Sequence, residues 1–134
     1  MVKYDQRRLQ RLQALADRGD RTAQFDLGET YDIGHPRNLK KAAHWYRIAG
    51  ERGDKHALNN LGYLYEHVRG VPKDHQKAWE YYRRSADKGN VIAVANLGVL
   101  MHQQRKYRRA LIYFERAVAS GDEASKVYIE MYRK

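Results

Sequence analysis

The pattern Ala-x-x-x-Leu-Gly occurs three times in this chain of 134 residues: Ala23, Leu27, Gly28; then Ala57, Leu61, Gly62; then Ala93, Leu97, Gly98. A second pattern, Ala-x-x-aromatic-aromatic, keeps step with it: Ala42, Trp45, Tyr46; then Ala78, Tyr81, Tyr82; then Ala110, Tyr113, Phe114. Eleven residues beyond each of these alanines stands a glycine, Gly53, Gly89 and Gly121, and Gly19 extends that series backwards in steps of 34, 36 and 32 residues. Three registers that hold phase define an internal repeat. A chain with such a period stacks like units on one another instead of closing a single irregular core.

Each unit reads as two helices. Apolar groups at i, i+4 and i+7 (Ala57, Leu61, Leu64) fall on one helical face, and only 2 prolines interrupt the chain. The turns Gly19-Asp20, Gly53-Asp54, Gly89-Asn90 and Gly121-Asp122 have a mechanical reading. Glycine takes the left-handed position that ends one helix, and Asp or Asn caps the next. The expected helices are 3–18, 22–33, 38–52, 55–67, 74–88, 91–103, 106–120 and 123–133. Gly28, Gly62 and Gly98 then lie inside helices, where glycine costs roughly 1 kcal/mol against alanine. Close approach of a bulky Trp45, Tyr82 or Phe114 from the partner helix offsets that cost.

Hydrophobic residues make up 43% and charged ones 31%, a balance that suits a folded domain. There is no cysteine, which excludes disulfides and thiolate chemistry and fits a reducing compartment. No apolar run approaches the ~20 residues needed to span a bilayer. Met1 to Gln13 lacks the apolar core of a secretory signal. A cytoplasmic location is expected. The formal charge of +10 suits an acidic partner, nucleic acid or an anionic membrane surface, and says nothing about fold.

With these residues in place, the chain resembles the Sel-1-like repeat branch of the tetratricopeptide (TPR) superfamily. Lys55 to Asn90 carries the fullest match, in Ala57, Asn60, Leu61, Gly62, Tyr65, Gly70, Val71, Asp74, Lys77, Ala78, Tyr81, Tyr82, Ala86 and Gly89. Val68 stands where that family usually has glycine, and Tyr81 where it has tryptophan. The first repeat keeps Gly34, Lys41, Ala42, Trp45, Tyr46 and Gly53 with a shorter inter-helix loop. The third has the tighter spacing of an ordinary TPR, with Tyr107 at the mid-repeat aromatic. The resemblance implies an all-α, right-handed superhelix of three helix pairs at about 21–54, 55–90 and 91–122. Flanking helices at 3–18 and 123–133 are expected to cap it as a complete single domain. It implies scaffolds, adaptors and regulators, commonly bacterial, rather than enzymes.

The resemblance also implies that the first helix of each pair lines a concave face and the second a convex one. The second helices with their preceding loops hold 21 of the 26 basic residues but 7 of the 16 acidic ones. The groove is therefore neutral to acidic and suits polar, aromatic or basic segments. Its expected lining is Asp26, Glu29 and Asp32, then Asn59, Tyr63, Glu66 and His67, then Asn96, Val99, His102 and Gln103. Tyr63 is the leading anchor, since an outward aromatic exposes apolar area. The basic clusters Arg7, Arg8, Arg11; Lys40, Lys41; Arg83, Arg84; and Arg105, Lys106, Arg108, Arg109 form a possible outer surface for nucleic acid, although a charged face commonly serves solubility alone.

The chemistry of catalysis is not apparent. Six histidines form no His-x-x-x-His pair, although His67 and His102 occupy similar places in adjacent repeats. Asp26, Glu29 and Asp32 share a face, a weak metal signal, and neither a phosphate loop nor a nucleophile motif occurs. Arg18-Gly19-Asp20 and Arg52-Gly53-Asp54 spell an adhesion tripeptide but are explained by capping. No metal or cofactor is expected. Three readings remain: a protein–protein interaction module, a small inhibitor or immunity-type protein that neutralises a toxin or enzyme, and a nucleic-acid accessory protein.

Overall fold

The structure, a computed structural model, describes residues 5–34, 36–67 and 74–133. These form eight α-helices: α1 Gln6–Asp17, α2 Arg21–Ile33, α3 Leu39–Glu51, α4 Lys55–Glu66, α5 His75–Asp87, α6 Val91–Gln103, α7 Tyr107–Ala119 and α8 Lys126–Tyr132. A 3-10 turn, Glu123–Ser125, leads into α8. The expected start of the first helix at residue 3, and the motif positions Val68, Gly70 and Val71, lie outside the described residues.

Local chemistry accounts for the helix boundaries. Gly19, Gly53, Gly89 and Gly121 all adopt left-handed backbone, with φ between 92° and 104°. At the first of them the Gly19 amide donates to the Ala16 carbonyl and the Asp20 amide to that of Leu15, a paired closure that satisfies the helix's last carbonyls. The other three turns repeat it. The next residue then starts the following helix: Asp20 accepts from the Ala23 amide at 2.9 Å, Asp54 from Ala57 at 3.0 Å and Asn90 from Ile92 at 3.1 Å. The tripeptides that resemble an adhesion signal are these caps. The fourth turn departs from expectation. Asp122 accepts from the Ser125 hydroxyl instead of a helix amide, so the chain enters α8 through the 3-10 turn.

The tight α6–α7 connection closes in the same way without glycine. Arg105, at φ 61°, sends its amide to the His102 carbonyl, and the Lys106 amide reaches Met101. Left-handed backbone costs a residue with a Cβ roughly 1–2 kcal/mol.

The helices pack as antiparallel pairs, α2 on α3, α4 on α5 and α6 on α7, while α3–α4 and α5–α6 contacts join the pairs. The in-helix glycines sit under aromatic rings. A Cβ added to Gly28 would lie 2.5 Å from the Tyr46 ring, one on Gly62 2.8 Å from Tyr82, and one on Gly98 2.7 Å from Phe114. Trp45 is therefore not the residue over Gly28. The covering ring stands four residues after the alanine of its motif, one turn on and on the same face, whereas Trp45 is three residues on and only half-buried. Ala42, Ala78, Ala110, Leu27, Leu61 and Leu97 complete a continuous buried seam through the three pairs. No helix among the described residues is long and apolar enough to cross a membrane.

Candidate interaction surfaces

The residue four beyond each in-helix glycine is Asp32, Glu66 or His102, and each meets a tyrosine hydroxyl. Tyr46 O–H donates to Asp32 Oδ2 at 2.9 Å, and Tyr82 O–H donates to Glu66 Oε1 at 2.8 Å. In the third repeat the covering ring is Phe114, which has no hydroxyl. His102 turns instead to α8, where its Nδ1 shares a 2.6 Å hydrogen bond with the Tyr132 hydroxyl. Glu66 is thus spent between α4 and α5, only 6% exposed, and is not a groove-lining residue. His102 is half-buried among Tyr107, Tyr128 and Tyr132.

Burial, followed by the neighbouring carboxylates, pushes the Tyr46 and Tyr82 phenols far above the usual tyrosine range. The unfolded chain ionises first as the pH passes about 10. Stability from these two groups is complete below that value and falls above it, by up to about 1.4 kcal/mol per pH unit for each tyrosine. Urea midpoints measured from pH 9 to 11 should show this decline, and Y46F/Y82F should flatten it. An equal slope in the double variant would assign alkaline sensitivity elsewhere.

Four of the expected groove residues come together. Asp32, Asn59, Tyr63 and Asn96, with Asn60 and Ile92, line a depression of about 240 Å³ across α2, α4 and α6. Asn96 Nδ2 donates to Asn59 Oδ1 at 2.9 Å, tying two repeats. Tyr63 is 44% exposed and Ile92 61%. The Tyr63 ring rests on His67 with centroids 4.2 Å apart, while His67 lies 3.5 Å from Glu66. Asp26, Glu29, Val99 and Gln103 do not line this depression; Val99 is packed against the core, and Glu29 and Gln103 are exposed. His67 and His102 each keep to partners of their own, and among the described residues no three His, Cys, Asp or Glu side chains converge to hold a metal. Ile92 follows the capping Asn90 by two residues, and within the apolar run Val91 to Ala95 nothing in the sequence marks it as the exposed one.

The basic residues behave individually. Arg8 donates to the Thr30 hydroxyl, Lys41 lies over the Tyr31 ring, and Arg84 pairs with Glu51 of the preceding repeat at 3.0 Å. Arg83 serves both Asp87, at 3.3 Å, and the Trp79 ring. Arg7, Arg11 and Lys40 are exposed, as are Arg105, Lys106, Arg108 and Arg109 at the α6–α7 turn. Sequence reasoning missed what this last cluster borders. A cleft of about 670 Å³ between α5 and α7 is lined by His75, Gln76, Trp79, Met101, Gln104, Lys106, Arg109, Ile112 and Tyr113. Trp79 and Ile112 stand off the buried stripe of their helices, one and two residues past the motif alanine, and that displacement was the available signal.

Stacked helix pairs, eight helices among the described residues, define an α/α-superhelical repeat protein of the TPR-like kind. The Sel1 repeat profile matches residues 21–54, 55–90 and 91–122, and the chain belongs to the Sel1 repeat family. It is similar to the Sel1 repeat protein of Oxalobacter formigenes, with TM-score 0.79 and 29% identity, covering 87% of this chain and 50% of that one. It is also similar to c5321, a protective antigen of uropathogenic Escherichia coli with an SLR fold, with TM-score 0.80 and 26% identity, covering 87% of this chain and 26% of that one. The chain thus spans half the length of the first and about a quarter of the second. Helicobacter pylori cysteine rich protein B shares the fold, with TM-score 0.66 and 21% identity over 85% of this chain and 91% of that one. No curated protein matches. Sel1 repeat proteins generally mediate protein–protein interaction and are not usually enzymes.

Proposed function

We propose that this chain is a non-enzymatic interaction module that holds a segment of a partner protein against the α2–α4–α6 depression. The observation that carries the reading is Tyr63, 44% exposed in a depression shared by all three repeats. An aromatic ring left open beside amides offers apolar contact and main-chain hydrogen bonds together. Asn60 and Asn96 supply the accessible amides, Ile92 supplies further apolar surface, and no lysine or arginine is among the described lining residues. The matching ligand is an extended polar or basic segment with one apolar side chain set on Tyr63. Anchors of this kind dominate binding surfaces, and truncating one commonly costs 2 kcal/mol or more.

The test is capture of partners from the native host on wild-type protein, followed by titration calorimetry with each purified partner. Tyr63→Ala is expected to weaken binding roughly 10-fold or more, while R108E/R109E retains it. Undiminished binding by Tyr63→Ala, with its helical circular dichroism unchanged, would refute the groove as the binding site.

A further inference from the structure

We infer a second docking surface, distinct from the α2–α4–α6 depression: the α5–α7 cleft receives an acidic peptide segment that inserts an aliphatic side chain. The junction between α3 and α5 carries a side-chain strap that the α5–α7 junction lacks. There Glu51, nine residues after its motif alanine, pairs with Arg84, six residues after the next motif alanine, and straps one repeat to the other at 3.0 Å. The residues in the same phase at the following junction are Asp87 and Arg116. They form no such strap. Asp87 pairs within its own helix with Arg83, and Arg116 lies over the Tyr113 ring, 5.8 Å from its centroid. α5 and α7 each pack on α6, and the space between them remains a cleft.

The lining identifies the occupant. Trp79, Met101, Ile112 and Tyr113 provide apolar wall, and Ile112 is 59% exposed, an unusual position for isoleucine in the middle of a helix. Lys106 and Arg109 stand in the same lining, Arg105 and Arg108 flank them, and no described lining residue is a carboxylate. An apolar slot edged by cations is complementary to a segment whose apolar side chain is flanked by Asp or Glu. The same charges could attract RNA or DNA, but single-stranded nucleic acid binds largely by stacking bases on open aromatic faces. Here Arg83 covers one face of Trp79, 5.4 Å from its centroid, and Arg116 covers one face of Tyr113. An inserted aliphatic group needs neither face.

A phage-displayed random 12-residue peptide library, selected on the full chain at low salt, tests the proposal. Selected peptides should carry Asp or Glu around a single apolar residue. Their affinity should drop at least 10-fold on both K106E/R109E and Ile112→Asp, and stay unchanged on Tyr63→Ala. Circular dichroism should show both cleft variants folded, as expected for exposed positions. Peptides that lack acidic enrichment, that bind the cleft variants as well as wild type, or that fail to emerge at all overturn it. If every peptide is lost with Tyr63→Ala alone, the cleft fails while the groove stands. A 12-nucleotide single-stranded RNA that binds wild type, is lost on K106E/R109E and displaces the peptides would give the surface to nucleic acid and equally overturn the proposal.

Discussion

Phe114→Ala lowers the free energy of unfolding by about 3–5 kcal/mol, the range for deleting a buried aromatic ring. The ring is fully buried, with Gly98 beneath it and Tyr128 stacked parallel above it at 4.2 Å. Glycine offers no side chain that could move into the space, and the α6 and α7 backbones are held by the rest of their packing, so the cavity cannot collapse. The damage reaches α8. Seven residues do not hold a helix unaided, and α8 docks through Ile129, Tyr128 and Tyr132. Urea titration followed by far-ultraviolet circular dichroism measures the loss, and Phe114→Leu should recover most of it. A loss under about 1 kcal/mol would mean that the ring is not the wedge described here.

Gly28→Ala is expected to destabilise by about 2–4 kcal/mol even though alanine favours helix over glycine by roughly 1 kcal/mol. Its Cβ would sit 2.5 Å from Tyr46 Cδ1 and 2.7 Å from Cε1, far inside contact distance. The clashing group is not the free end of a flexible chain. It is a buried ring whose hydroxyl is tied to Asp32, so moving it strains the seam and stretches a charge-assisted hydrogen bond. Combining Gly28→Ala with Tyr46→Leu makes the double-mutant cycle: the two losses should add to more than the double variant shows. Simple additivity would dissociate the glycine from the ring.

The repeat, the helix order and most helix boundaries were legible in the sequence because glycine and the capping Asp or Asn act locally. The chain needs no distant information to end one helix at Gly53 and begin another after Asp54. Pairing across helices was less legible. Trp45 and Tyr46 are both large and adjacent, and which one covers Gly28 depends on a rotation of 100° about the helix axis, visible only by aligning all three motifs on their alanines. The depression was half legible. Asp32, Asn59, Tyr63 and Asn96 followed from repeat phase, whereas Glu66 belongs with them by phase and is withdrawn by Tyr82, a contact set by packing depth. The α5–α7 cleft was not legible, because its lining is gathered from α5, α6 and α7, whose spacing repeat phase alone does not give.

Among the described residues, helix packing runs mainly between helices adjacent in the chain, while ties between alternate helices are single side-chain contacts such as Asn59 to Asn96 and a minor α2–α4 contact. Chains whose contacts are mostly local close few large loops on the way to the native state and reach it quickly. The same economy bears on growth. Inserting or deleting one helix pair leaves every other pair with the kind of neighbour it already had, so an ancestor could change length by whole units without redesigning its interior.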